Sequence, residues 1–152
     1  MTTHPPPEIR PLAPAEVDAV CDVLGVARLH QGNGSYLVAW AGDEPIGHAY
    51  LAMTDPPELQ DLEVRSAFRR RGVAHGLTAG IEALAMANGA DRLRLSVSVR
   101  NLGAQELYRS LGFTDVGVAP KIVRGTIQIR TGPIEVDETM LTWEKRLGSP
   151  DR

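Results

Sequence analysis

A mixed α/β domain, a sheet covered by helices, is the fold class that the sequence predicts. Three observations lead there. Arg92 to Arg100 alternates strictly, with Leu93, Leu95, Val97 and Val99 set against Arg94, Ser96, Ser98 and Arg100, as in a strand with one buried face. After Gly72 the apolar period lengthens to that of a helix, with Val73, Leu77, Ile81 and Leu84 on one side. Two apolar runs, Ser35 to Ala41 and Ile46 to Met53, flank a Gly42-Asp43 turn signal and read as a hairpin.

The remaining elements follow in order. Glu8 to Leu12 suits a short edge strand, and Pro14 then suits the first turn of a helix with Val17, Val20, Cys21 and Leu24 on one face. Gly25 ends or weakens it. Leu59, or a residue or two before it, through Val64 reads as a third strand in the hairpin's sheet. The helix after Gly72 stops at Asn88-Gly89, and a second helix over about Ala104 to Leu111 stops at Gly112. Phe113 to Val118, Ile122 to Ile129 and Thr139 to Leu147 close the chain as strands. Residues 1–7 and 148–152, rich in Pro, Gly and polar groups, read as flexible tails around a single domain over 8–147.

Composition narrows the function classes. At 152 residues there is room for one core and one site. A net charge of -3 argues against a general nucleic-acid surface. No apolar run approaches the roughly 20 residues of a membrane span. The N-terminal segment lacks the basic and apolar regions of a secretory signal, and lone Cys21 forms no internal disulfide, so the expected location is the cytoplasm. His4, His30, His48 and His75 are scattered without metal-ligand spacing, so no metal is expected. No nucleophile elbow occurs, Cys21 reads as core, and Asn33-Gly34-Ser35, a sequon by pattern, reads as a turn. Trp40 and Trp143 lie in strand patterns as core or sheet-face residues.

One segment carries chemistry by itself. Arg69, Arg70 and Arg71 are consecutive cations ahead of Gly72 at a strand-to-helix junction, where free N–H groups and the positive dipole end attract an anion. Cations there oppose the helix dipole, a conflict that a bound pyrophosphate removes. Neither the P-loop nor the dinucleotide glycine pattern is present.

Read together, R-x-x-G-x-A at Arg69 to Ala74 and N-x-x-A-x-x-L-Y-x-x-x-G-F at Asn101 to Phe113 resemble the GNAT superfamily of acyl-CoA-dependent N-acyltransferases, from about Ser35 to Val118. The resemblance implies an α/β (α+β) fold: a mostly antiparallel central sheet of six to seven strands, covered by about four helices, with a splayed pair of strands at the CoA site. It implies acetyl-CoA as co-substrate. The CoA pyrophosphate would rest on the backbone of Arg70, Arg71, Gly72, Val73, Ala74 and His75, with Arg69 and Arg71 as side-chain candidates. The pantetheine arm would pair with the backbone of Leu62, Glu63 and Val64. Asn101 and Ala104 match positions along that arm, and Tyr108 matches the tyrosine facing the thioester sulfur. Arg70 stands where the family more often has glycine, and Ala74 where it often has a second one.

The chemistry needs two proton carriers. A lysine-like amine of pKa about 10.4 is neutral in roughly one molecule per thousand near pH 7.4, so some group must take its proton. Glu58 and Glu63 are the carboxylates on the strand that meets the acyl group; strict alternation sets Asp61 on the face of Glu63 and Glu58 on the opposite one. Glu58 matches the position used by the histone-acetylating branch. Ser96 stands where some relatives carry a glutamate. Tyr108 can protonate the departing thiolate. The expected partners are therefore acetyl-CoA and an amine acceptor, with no nucleic acid and no membrane, and a homodimer is an open assembly. A CoA-binding sensor or structural module without catalysis is the rival reading, kept open by the lack of an unambiguous base.

Overall fold

The computed structural model describes residues 6–24, 34–129 and 132–148. Its strands are β1 (Glu8–Pro11), β2 (Ser35–Ala41), β3 (Glu44–Ala52), β4 (Glu58–Val64), β5 (Arg92–Ser98), β6 (Thr114–Asp115), β7 (Lys121–Ile129) and β8 (Gly132–Arg146), and its α-helices are α1 (Val17–Leu24), α2 (Val73–Ala87) and α3 (Leu102–Ser110). They form one sheet in the order β1-β2-β3-β4-β5-β8-β6, with β7 paired to β8 off that path. Every pairing is antiparallel except β4 with β5. The mixed, mostly antiparallel architecture is the expected one.

The details correct the expectation in three places. Eight strands pair, one for each strand segment read along the chain, where the resemblance implied six to seven. Three α-helices stand among the described residues, preceded and interrupted by short 3-10 turns at Pro14–Glu16 and Ser66–Phe68, where about four helices were expected. The expected C-terminal strand is the inner half of a 15-residue β8, whose outer half forms a two-stranded arm with β7. Residues 25–33 and Asn33 of the sequon lie outside the described residues.

Apolar periodicity builds two packed faces. Val73, Leu77, Ile81 and Ala85 of α2 pack with Leu93, Leu95 and Val97 of β5 and with Phe113 and Trp143 in the larger cluster, against which Leu84, Leu107 and Tyr108 also rest. Val99, expected in the same row, lies beyond the end of β5 and is exposed. On the other face α1 covers a smaller cluster of Val20, Tyr36, Val38, Trp40, Tyr50 and Ala52, with Cys21 partly buried beside it. Lys145 Nζ of β8 donates to Glu82 of α2 at 2.7 Å, tying helix to sheet.

Candidate active site

The parallel pair β4 and β5 is the least paired junction of the sheet among the described residues. Their ladder holds a single register pair, Glu58 with Arg94, supported by the Arg94 N–H donating to the Pro57 carbonyl at 2.9 Å. Ser96 Oγ reaches Glu58 Oε2 at 3.3 Å, and past that point the strands carry no further pairing. Each then has an edge of backbone N–H and C=O groups that needs another partner.

A β-bulge shapes β4. Tyr50 faces Gln60 and His48 faces Glu63, so two residues, Asp61 and Leu62, oppose Ala49 alone. Asp61 takes a positive φ of 58°, a left-handed conformation that costs a non-glycine residue about 1–2 kcal/mol. Its Oδ2 accepts from the Tyr36 hydroxyl at 2.8 Å and lies 3.9 Å from Nδ1 of the buried His48. These contacts hold the bulge. They also overturn the expected alternation: Glu58, Gln60 and Glu63 are cross-strand partners of Ala52, Tyr50 and His48, which share one face. Glu58 and Glu63 therefore stand on the same side of the sheet, with Asp61, while Leu59, Leu62 and Val64 turn to the larger core. The sequence signal for the bulge was the apolar spacing itself, three from Leu59 to Leu62 and two from Leu62 to Val64.

The gap opens into a cavity of about 770 Å³ lined by Leu62, Glu63, Val64, Arg69, Arg70, Gly72, Val73, Ala74 and His75, joined by Phe68, Gly103 and Leu107. At its mouth the start of α2 has no side-chain cap and no acidic residue in its first turn. The N–H groups of Val73, Ala74 and His75 have no intrahelical acceptor, and the first one satisfied is that of Gly76, which donates to the Gly72 carbonyl at 3.0 Å. Gly72 has φ 81°, and a Cβ built there would meet nothing within 4 Å, which leaves open space in front of the helix end.

The three arginines divide their work. Arg69 Nε donates to the Val64 carbonyl at 3.0 Å and ties the loop to the end of β4. Arg71 stacks over Phe68 at 5.2 Å and lines a neighbouring small pocket rather than the cavity. Arg70 lines the cavity in a left-handed conformation, φ 64°, and among the described residues its guanidinium has no hydrogen-bond or ion-pair partner. The strain at Arg70 accounts physically for a glycine preference at this position.

Asn101, Ala104 and Tyr108 fall on a second cavity. This groove of about 590 Å³ runs between β5, α3 and the β7–β8 arm and also takes in Ser96 and Ser98. Asn101 caps α3, its Oδ1 accepting from the Ala104 N–H at 3.0 Å, so its side chain has a structural job in hand. Tyr108 packs edge-on to Phe113 with ring centroids 6.2 Å apart. Burial pushes its phenol above the usual 10.0, and the negative charge of Glu63 pushes it further. One tyrosine thus lines the groove while feeling a carboxylate that lines the other cavity. Sequence reasoning did not see the groove, because its walls come from β5, α3 and the β7–β8 hairpin together, and nothing in the local pattern says that these three stand side by side.

The fold and the motifs converge on one group of proteins. Residues 4–113 match the acetyltransferase (GNAT) family, and the chain belongs to it. It is 29% identical over 170 residues to a mycothiol acetyltransferase of Parafrankia sp. (strain EAN1pec), an alignment covering 86% of this chain and 51% of that protein, so the chain spans about half its relative's length. A nourseothricin acetyltransferase structure superposes with a TM-score of 0.71 at 17% identity, covering 95% of this chain and all (100%) of the other. A GNAT family acetyltransferase from Elizabethkingia anophelis with acetyl-CoA bound gives a TM-score of 0.64 at 18% identity, covering 93% and 98%. At such identities the two structures speak for the fold alone. No helix among the described residues is long and apolar enough to cross a membrane, and no group of three or more His, Cys, Asp or Glu among them could hold a metal.

Proposed function

We propose that the protein transfers the acetyl group of acetyl-CoA directly to a primary amine. The observation that carries this reading is the parting of β4 and β5 after one register pair, with the uncapped start of α2 at the mouth of the cavity that results. The residues fit the co-substrate: free N–H groups from Arg70 to His75 and the uncommitted Arg70 guanidinium suit a pyrophosphate, and the free edge of Leu62 to Val64 suits an amide-bearing arm. Bound there, acetyl-CoA supplies an activated acyl group.

The chain's own groups then handle charge and protons. The bulge at Asp61 and Leu62 withdraws backbone from the β3 ladder, and an N–H released there stabilises negative charge developing on the acyl oxygen. Glu58, at the inner end of the gap and in contact with Ser96, accepts the amine proton. Tyr108, kept protonated by burial and by Glu63, gives its proton to the thiolate. Glu63 thereby acts through Tyr108 as a positioning and tuning residue rather than as the base.

The test is thiol release from acetyl-CoA across a panel of amines. Release that depends on both substrates supports transfer. Saturable CoA binding without release with any amine favours the sensor reading, which the mutual commitment of Glu58, Gln60 and Ser96 keeps in play.

A further inference from the structure

We infer that the acceptor is a monoamine on an apolar body, an alkyl- or arylalkylamine, held in the groove between β5, α3 and the β7–β8 arm. The inference rests on the acetyl-transfer reading. The groove's 590 Å³ falls in the range of small-ligand sites. Tyr108 and Ser96 lie in its lining, so it is continuous with the groups proposed to move protons.

Its outer wall is mostly hydrocarbon. Strand register sets Ile127 opposite Ile134, Gly125 opposite Val136 and Lys121 opposite Met140, all on one face of the arm. Ile127 and Ile134 are 37% and 40% exposed although they line a concave surface, which is the condition of an apolar wall awaiting an apolar guest. The carboxylates of this wall already have partners. Glu138 accepts from Ser98 and pairs with Arg100, and Glu135 accepts from Thr126. A sugar or other hydroxyl-rich acceptor would bury polar groups here without new partners, at a cost of about 1–3 kcal/mol for each one left unpaired. Lys121 stands at the inner end of the arm, near Met140 and Ser98, and repels an ammonium at that end of the groove. A polyamine finds no carboxylate on this wall that lacks a partner. The wall's concavity and its continuity with Tyr108 suit a small guest better than the flat face of a second copy.

The experiment compares butylamine, hexylamine, octylamine and phenethylamine with spermidine and glucosamine, measuring kcat/KM by thiol release and CoA binding by thermal shift. Each methylene buried in the groove should raise kcat/KM about fourfold, the equivalent of roughly 0.8 kcal/mol, until the groove is filled. Ile134→Asp should flatten that dependence and lower kcat/KM for octylamine tenfold or more, with the CoA-induced shift retained as the check of folding. A flat or falling dependence on chain length, or preference for spermidine or glucosamine, would overturn the acceptor class and leave acetyl transfer standing. Failure to acetylate any amine by a protein that CoA stabilises would overturn both. A dimer that Ile134→Asp dissolves, together with a flat dependence, would assign the wall to a second copy instead.

Discussion

At Tyr108 two effects act in the same direction. Burial and the Glu63 charge both favour the neutral phenol, so the folded pKa lies above the unfolded value near 10.0. The sign for stability follows: the contribution is fully present below pH 10, and it is lost as pH rises through the folded pKa. Spectrophotometric titration should show a phenol ionising above pH 10 that is lost in Tyr108→Phe, and Glu63→Gln should bring its midpoint down. In turnover, Tyr108→Phe should cost about 10² or more while CoA affinity stays within a few fold, because the ring and its packing on Phe113 remain. Glu58→Gln should fall furthest behind wild type near neutral pH and recover at high pH, where the amine loses its proton unaided. A deficit constant across pH would make Glu58 an acceptor-binding or structural group. Arg70 is a different case, since it holds an unfavourable conformation with no partner among the described residues to justify it. Arg70→Gly should leave stability unchanged or improve it by up to about 1 kcal/mol while weakening CoA tenfold or more, as expected from losing one charge-assisted hydrogen bond. Equal CoA affinity, measured calorimetrically, would remove Arg70 from the anion site.

Elements whose boundaries depend on local chemistry were legible in the sequence. Gly72, with φ 81°, and the Val73, Leu77 and Ile81 row located α2, and the strict alternation from Arg92 located β5 down to its buried leucines. Phe113 to Val118 shows the limit: its pattern promised six residues of strand, and two pair. What alternation misjudged was β4. The Tyr36 to Asp61 hydrogen bond and the His48 contact that hold the bulge join residues 13 or more apart in sequence, and periodicity within a strand does not report them. The outer half of β8 was missed for a related reason, since Pro133 and the charges at Glu135, Asp137 and Glu138 suit an exposed arm that pairs with β7 alone. Asn101 was assigned to the pantetheine arm by resemblance, yet its side chain caps α3. The two roles separate experimentally. Asn101→Asp keeps a capping oxygen and should keep stability, whereas Asn101→Ala should lose about 1 kcal/mol by denaturant titration. If CoA affinity drops equally in both, the amide itself contacts the ligand. If it stays unchanged in Asn101→Asp, the residue serves the helix.

For the whole molecule, ligand and fold should be coupled through one gap. β4 and β5 are held together by a single register pair and then rely on α2 and α3 above them, so this seam is where the sheet has least of its own hydrogen bonding. A ligand that satisfies both open edges and the start of α2 binds the folded state alone. At 100 times its dissociation constant it adds about 2.7 kcal/mol to stability. For a domain near 150 residues that corresponds to a rise in Tm of roughly 5–11 °C. Acetyl-CoA or CoA should produce this shift and should slow amide exchange in β4 beyond the bulge and in the first turn of α2. Gly72 distinguishes binding in the gap from binding elsewhere. Its Cβ would touch no protein atom, so Gly72→Val leaves the core untouched and costs the fold the strain of a left-handed β-branched residue. The variant should fold with a modestly lowered Tm and show no CoA-induced shift, because the new side chain occupies the space in front of the helix N–H groups. A full shift in folded Gly72→Val would mean that the pyrophosphate sits elsewhere, and a flat response of the wild type to millimolar CoA would remove the cofactor, and with it the transferase reading.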